Sequence, residues 1–157
     1  MVFFSAAILW CNVLVMEIHH SGHTAYVTQY HIVWIPKYRR RILKPGVDTM
    51  TNKILRAAVK SMPGVEITEM AIQIDHVHLV LVIPPKYSVA NVVGTLKGRS
   101  ASVLRRMFKW LHKVYWEENV VWSPGYFVST VGIDEAKVLS YVRFQQRQDS
   151  GQTKFDL

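Results

Sequence analysis

Residues 65–83 read VEITEMAIQIDHVHLVLVI, and this stretch decides the fold. Its first half alternates apolar with polar residues, and its second half is apolar apart from two histidines. We therefore predict two paired strands, 65–74 and 76–83, joined near Asp75. Alternate residues of a strand point to the same face. His76 and His78 should project together, while Val77 and Leu79 turn to the opposite face.

The segments before this pair predict a strand and a helix. Residues 26–35 read YVTQYHIVWI, a run of β-branched and aromatic residues that ends at a proline and indicates a strand. Residues 48–60 carry apolar side chains at helical spacing behind candidate caps at Asp48 and Thr51. The helix should stop before Pro63.

The segments after the pair repeat this alternation. Residues 89–113 form one apolar helical stripe with Ser88 as N-cap, and two glycines could bend or interrupt it. Residues 123–132 begin with turn residues and continue as a short strand. A last helix over 134–148 follows, and the chain from Asp149 onward is expected to fray. This order predicts the α+β class: a ferredoxin-like or RNA-recognition-like antiparallel sheet, a split βαβ, with helices on one face and the other face free for a ligand. The last helix is an addition to that pattern.

Composition points to one domain that binds an anionic partner. The chain has 157 residues, half of them hydrophobic, and a net charge of +8. Such an excess attracts phosphate backbones or anionic membrane surfaces, of which nucleic acid is the commoner partner. The lone Cys11 excludes an internal disulfide and a thiolate metal cluster, which fits the cytoplasm, where we expect the protein.

Residues 1–16 are uncharged and apolar, and we expect them to be an N-terminal extension outside a single domain that covers residues 17–157. They are too short for a comfortable membrane span and lack the basic start of a signal peptide. An upstream start codon ahead of Met16 explains them, and a signal anchor is the alternative. We expect no membrane partner.

The two histidines have several interpretations. Imidazoles about 7 Å apart along a strand could bind one metal ion or one phosphate. They could also be ordinary half-buried histidines, because so short a motif has a high false-positive rate. A cupin-type metal site needs a downstream glutamate and a third histidine, and a two-histidine phosphoesterase needs paired H-x-T or H-x-S elements. The sequence has neither pattern.

The motif DHVHLVL resembles a known family when taken with its surroundings. YHIVWIPKYRR precedes it, and LKGRSASVLRR, WSPGYFVSTVG and LSYVRFQQ follow it. Together they resemble, in family order, the single-tyrosine HUH transposases of bacterial and archaeal insertion sequences that move as single-stranded DNA. The resemblance runs from about residue 26 to residue 146, which makes it far more specific than the histidine pair alone.

The resemblance implies a chemistry and the residues that perform it. A divalent metal, Mg²⁺ or Mn²⁺, would be bound by His76, His78 and Gln145, and Tyr141 would be the nucleophile. The enzyme would cut and rejoin single-stranded DNA at hairpin-marked element ends through a 5′-phosphotyrosine. It would act as a homodimer with composite active sites.

Spacing agrees with this set without selecting it. Residues i and i+4 share a helix face, as Tyr141 and Gln145 would. Two other tyrosines stand four residues before an asparagine: Tyr87 before Asn91, and Tyr115 before Asn119. Gln146 and Gln148 are alternative ligands if the register differs.

Basic and aromatic residues supply candidate DNA contacts. Arginine and lysine can follow a sugar-phosphate backbone, and aromatic rings can stack on bases. Residue by residue, the alternative is a solvated helix face. The basic residues expected at DNA are Lys37, Arg39, Arg40, Arg41, Lys97, Arg99, Arg105, Arg106 and Lys109. The candidate stacking residues are Trp110, Tyr115 and Trp116.

Two other functions fit the same sequence. One is a nucleic-acid-binding module without catalysis, in which the sheet and basic helix only hold a hairpin. The other is a domesticated relative that processes chromosomal hairpins with the same chemistry. The complete set of His76, His78, Tyr141 and Gln145 favours an enzyme.

Overall fold

The computed structural model describes residues 17–116, 118–130 and 135–151. The predicted N-terminal extension, residues 1–16, lies outside this range, as does the predicted start of the last helix at Asp134. Among the described residues, no helix is long and apolar enough to cross a membrane.

The elements follow the predicted alternation, with a small hairpin in front that the sequence did not indicate. In chain order they are β1 (His19–Ser21), β2 (Thr24–Tyr26), β3 (Gln29–Trp34), α1 (Val47–Val59), β4 (Glu66–Gln73), β5 (His76–Val82), α2 (Val89–Met107), α3 (Trp110–Val114), β6 (Phe127–Ser129) and α4 (Glu135–Asp149). A single 3-10 turn, Lys37–Arg39, follows β3.

Four strands form the main sheet in the order β4-β5-β3-β6, and all neighbouring strands are antiparallel. β5 lies between β3 and β4, which α1 connects, so the sheet is a split βαβ. The predicted α+β, ferredoxin-like class is confirmed. The predicted pairing at the centre of the chain is also confirmed, because β4 and β5 meet at the pair Gln73 and His76.

One face of the sheet forms the main core with α1 and α2. Ile32 and Trp34 of β3 and Leu79 and Leu81 of β5 are fully buried on this face. They belong to one cluster with buried residues of both helices, such as Leu96. The apolar strand residues therefore turn away from the histidines, as the period of two requires.

The opposite face is not left free, and this part of the prediction was wrong. Val33 and Ile35 point to it and are fully buried, together with Val142 of α4. Exposing two such side chains to water would cost about 1.5–3 kcal/mol each. α4 covers them, so it lies on the face that carries His76 and His78.

Helix boundaries differ where polar or kinked residues intervene. The predicted helix over 89–113 is two helices, because Phe108 leaves helical geometry with φ −112° and ψ 81°. Gly94 and Gly98 lie inside α2 without interrupting it, and Ser88 caps it as predicted by accepting a hydrogen bond from the Asn91 amide. Thr51 is not a cap: it is buried inside α1, where its hydroxyl donates to the Val47 carbonyl.

β6 lies within residues 123–132 and comes after the turn residues, as predicted. The carbonyl groups of Ser123, Pro124 and Gly125 accept hydrogen bonds from the Lys97 ammonium group, at 2.6, 3.2 and 2.9 Å. These carbonyls serve a side chain and not a strand ladder, so strand pairing begins only at Phe127.

Candidate active site

The two histidines lie together on the α4 face of β5. His78 is opposite Val33 on β3 and Ala71 on β4. The ring of His31, on β3, lies 6.4 Å from the ring of His78. Val33 belongs to the same buried cluster as Val142 of α4. The histidine pair therefore adjoins the surface on which α4 packs.

His76 is oriented by Asp75, whose role the sequence left open. The Asp75 carboxylate lies 2.8 Å from His76 Nδ1 and 3.0 Å from Arg39 Nε. Burial raises the pKa of Asp75, but the hydrogen bond with His76 and the charge of Arg39 outweigh it, so the pKa lies below its usual value. An ionised carboxylate can only accept, so Nδ1 donates. This arrangement leaves the lone pair on Nε2 for a metal ion, as in carboxylate–histidine–metal sites.

His78 is held in its neutral form. Burial lowers its pKa to about 4, and the charges of His31 and His76 add to this effect. A neutral imidazole is the form that binds a metal ion, because the protonated ring has no free lone pair. At neutral pH His78 therefore needs no deprotonation before it can act as a ligand.

The side-chain ends of Tyr141 and Gln145 both lie close to the backbone of Gly125. A Cβ added to Gly125 would lie 2.6 Å from Gln145 Oε1 and 3.4 Å from Tyr141 Oη. The buried Tyr141 hydroxyl has no hydrogen-bond partner among the described residues. Burial raises its pKa, and the negative charge of Asp149 raises it further. A buried polar group without a partner is uncommon, and functional sites are one place where it occurs.

Asp149 anchors this region, although the sequence suggested a frayed end here. Its side chain is 2% exposed. It accepts hydrogen bonds from the Tyr38 amide (2.9 Å) and the Ser123 hydroxyl (3.0 Å), and pairs with Lys37 at 3.5 Å. The Gln145 amide nitrogen also donates to it, at 3.4 Å. This bond turns the Gln145 nitrogen toward Asp149 while Oε1 faces Gly125.

Gln145 fits the predicted ligand position better than its two neighbours do. It is 5% exposed and adjoins Tyr141, whereas Gln146 and Gln148 are exposed. Gln146 Oε1 already accepts a hydrogen bond from Arg39 Nη1 at 3.2 Å.

The predicted basic residues do not gather on one surface. Residues 37–41 lie beside the histidines and the end of α4, through contacts with Asp75, Gln146 and Asp149. Arg99 and Arg106 line a cavity of about 320 Å³ with α1 residues, on the opposite side of the sheet. Burial lowers the pKa of Lys97 to about 8, although the negative charge of Asp149 has the opposite effect. Lys97 holds the 123–125 loop. DNA contact by these residues stays a prediction.

His76 and His78 lie together, and so do Tyr141 and Gln145. Strand β3 separates the histidine pair from the tyrosine–glutamine pair. The histidines are on β5, while the Tyr141 ring packs 5.9 Å from the ring of Phe127 on β6. No group of three or more His, Cys, Asp or Glu side chains suited to a metal occurs in the described part of the chain.

Comparison with known proteins identifies the family. The model of the family "Transposase IS200 like" matches residues 24–145, a range that contains His76, His78, Tyr141 and Gln145. The chain belongs to the IS200-like transposase family. This transposase is 38% identical over 128 residues to the transposase for insertion sequence element IS200 of Salmonella typhimurium, covering 82% of this chain and 83% of that protein.

Two Deinococcus radiodurans comparisons agree. The transposase is 30% identical to the ISDra2 transposase TnpA over 138 residues, which cover 87% of this chain and 97% of TnpA. It also superimposes with a TM-score of 0.74 on a crystal structure described as that of a transposase from strain R1. That match, at 30% identity, covers 81% of this chain and 97% of the other. The architecture above is therefore that of the family.

The lowered pKa of His78 predicts a pH-dependent stability. Above pH 6.5 the residue is neutral in both folded and unfolded chains and contributes nothing. Between 6.5 and about 4 the unfolded chain takes up a proton that the folded chain does not, so the free energy of unfolding should fall as pH falls. Urea unfolding in chelator at pH 7, 6 and 5 measures this, and His78→Gln should flatten the dependence.

The matched control is His20→Gln, which changes an exposed histidine of the hairpin. It should keep the full pH dependence of the parent. An equal dependence in His78→Gln and the parent would mean that His78 is not held neutral by burial.

Proposed function

We propose that this IS200-type transposase cleaves and rejoins single-stranded DNA at hairpin-marked element ends, with Tyr141 as nucleophile and a divalent metal ion as cofactor. The observation that carries the proposal is the meeting of Tyr141 Oη and Gln145 Oε1 at Gly125, on the same face of the sheet as His76 and His78.

The side chains present fit a divalent cation. His76 would bind through Nε2, because Asp75 occupies its Nδ1. His78 would bind as a neutral imidazole, and Gln145 would supply an amide oxygen. Oxygen ligands favour Mg²⁺, while two nitrogens suit Mn²⁺. When bound, the cation polarises the scissile phosphodiester and neutralises charge that develops in the transition state.

The ligand set carries no charge of its own. Two imidazoles and one amide leave the neutralisation of the cation to the DNA phosphate and to solvent. We therefore expect the protein to bind the metal weakly alone and more tightly with DNA. The substrate would then complete its own active site.

Tyr141 performs a transfer that conserves the energy of the phosphodiester. The phenol is protonated at neutral pH, as an ordinary tyrosine is, and burial raises its pKa further. During attack the phenol proton passes to solvent, Tyr141 Oη bonds to phosphorus, and the bond from phosphorus to the 3′ oxygen breaks. The departing 3′ oxygen takes a proton from solvent and becomes a 3′-hydroxyl. A phenol ionises near pH 10 and an alcohol near 16, so the tyrosine is the better leaving group. The 3′-hydroxyl of another strand can displace it without ATP.

A homodimer would explain how the histidine pair and the Tyr141–Gln145 pair could form one site although β3 separates them within a subunit. If α4 of one subunit served the histidines of the other, Tyr141 and Gln145 would reach His76 and His78 without crossing β3. The composite site would then form only on assembly. The cytoplasm, with its replicating DNA, is the compartment in which such an enzyme would meet its substrate.

The first test is covalent capture. Incubation with a labelled hairpin oligonucleotide from the flank of its own gene and Mn²⁺ should give a protein–DNA adduct that chelator prevents. Tyr141→Phe should abolish the adduct, because it removes the attacking oxygen. Tyr87→Phe, which changes a tyrosine before α2, is the matched control and should leave it intact. Tight hairpin binding without an adduct in any of these proteins would favour the nucleic-acid-binding module without catalysis.

Gly125→Ala separates activity from stability. The added Cβ would displace the Gln145 amide, whose flexible end can move at little cost to folding. We expect adduct formation to fall at least about tenfold, since small displacements of reacting groups cost up to about a hundredfold. The urea midpoint should stay close to that of the parent.

Gly98→Ala is the control for this variant, because a Cβ there meets nothing within 4 Å. It should leave adduct formation unchanged. Full activity of Gly125→Ala would contradict a role for Gln145 at the site.

A further inference from the structure

Strained backbone is concentrated at one cleft. Among the described residues, only three non-glycine residues have positive φ: Tyr38 (60°), Arg39 (52°) and Trp116 (45°). All three line the same open cleft of about 800 Å³. Left-handed geometry costs roughly 1–2 kcal/mol for an L residue and persists where the surroundings enforce it, often at functional sites. We call this the Trp116 cleft; it is lined by residues 38–41, Trp116 and residues 149–151.

The wall of the cleft formed by residues 38–41 is fixed from two sides. The Tyr38 amide donates to Asp149, whose carboxylate is almost fully buried. The Tyr115 hydroxyl donates to the Lys37 carbonyl at 3.3 Å. These bonds hold the turn in its strained conformation before any ligand arrives, which lowers the entropy cost of binding.

The surface of the cleft presents an aromatic ring and positive charge. Trp116 is 70% exposed, and the Arg40 guanidinium lies 5.4 Å from its ring centroid. Arg40 and Arg41 are exposed. The one acidic side chain of the lining, Asp149, is 2% exposed and bonded to protein groups, so it offers little charge to a ligand.

Hydrogen bonds connect the cleft to the histidine pair. Arg39 lines the cleft and donates to Asp75, which accepts from His76. A strand whose phosphate reached His76 would therefore have its neighbouring nucleotides within reach of the cleft.

We infer that the Trp116 cleft binds one unpaired nucleotide of the DNA strand, next to the cleaved phosphate, with its base stacked on Trp116 and its phosphate bound by Arg40 and Arg41. An unpaired base has a free ring face, and stacking on an aromatic side chain is the usual way in which proteins hold it. The volume suits one nucleotide, since pockets for small ligands span about 300–1,000 Å³. This inference rests on the proposed function and adds a base requirement at one position.

Abasic scanning tests it. The probe is the flank hairpin oligonucleotide with its single-stranded segment, in which each unpaired base is removed in turn. Affinity is measured by fluorescence anisotropy in chelator, so that the DNA stays intact. At one position near the cleavage site, removal of the base should weaken binding to the parent about tenfold, as stacking energies of roughly 1–3 kcal/mol per base predict.

The variants decide whether Trp116 is the stacking residue. In Trp116→Ala that position should lose its effect, with less than a twofold change on base removal, whereas Trp116→Phe should retain most of it. Trp110→Ala is the matched control: Trp110 is also exposed and has Lys44 over its ring at 5.7 Å, but it lies outside the cleft. It should keep the tenfold effect.

The outcomes separate this inference from the proposed function. A tenfold position that persists in Trp116→Ala, or uniform losses at every position, would overturn the nucleotide site even if Tyr141 forms its adduct. Loss of the effect in Trp116→Ala without any adduct in the parent would support the cleft and contradict the catalytic proposal. Failure of the parent to bind any flank oligonucleotide would contradict both.

Discussion

The buried carboxylate of Asp149 holds together three segments around Tyr141 and Gln145 of the candidate site. It accepts hydrogen bonds from the turn after β3, from Ser123 in the loop before β6, and from Gln145 on its own helix. A polar side chain buried without partners would cost several kcal/mol, and these donors and Lys37 supply partners for the carboxylate. The same bonds orient the Gln145 amide and keep Tyr38 in its left-handed conformation. Removing the carboxylate would disturb Gln145, the proposed metal ligand, and the Trp116 cleft at once.

A second set of hydrogen bonds connects the Trp116 cleft to His76. Arg39 contacts both Asp75 and Gln146, so it bridges the histidine strand and the tyrosine helix. Asp75 in turn fixes the His76 ring. A change in the position of α4 would therefore shift Arg39 and, through Asp75, the His76 ring. Binding of DNA at the exposed arginines would affect the same contacts. Positive charge beside the site would also attract the substrate strand over roughly a Debye length.

Local patterns were sufficient for much of the fold. Alternation in β4, the apolar run of β5 and the helical stripes of α1 and α2 are short-range signals, and each predicted its element. The HUH motif likewise indicated the candidate site residues. What sequence reasoning missed depends on contacts between distant positions: Asp149 meets Tyr38 across 111 residues, and Lys97 meets the carbonyls of 123–125 across 26 to 28. No local period encodes such contacts.

The packing of α4 on the second face of the sheet also depends on contacts between positions far apart in sequence. Val33 and Ile35 could have signalled that a helix must pack there, since two apolar residues on a free face are costly. The role of Asp75 could also have been suspected, because a carboxylate next to a histidine ligand is a common supporting arrangement. The positive φ values of Tyr38 and Trp116 had no sequence signal, as neither residue type favours that geometry.

The central claim is that His76, His78 and Gln145 bind one cation that faces Tyr141. Crystals of the Tyr141→Phe protein with Mn²⁺ and the flank oligonucleotide would test it by anomalous diffraction. The account predicts one manganese peak within bonding distance of His76 Nε2, a ring nitrogen of His78 and Gln145 Oε1, together with a DNA phosphate oxygen. A peak bound by the histidines but out of bonding distance of Gln145 Oε1, or no peak at the histidines, would contradict it.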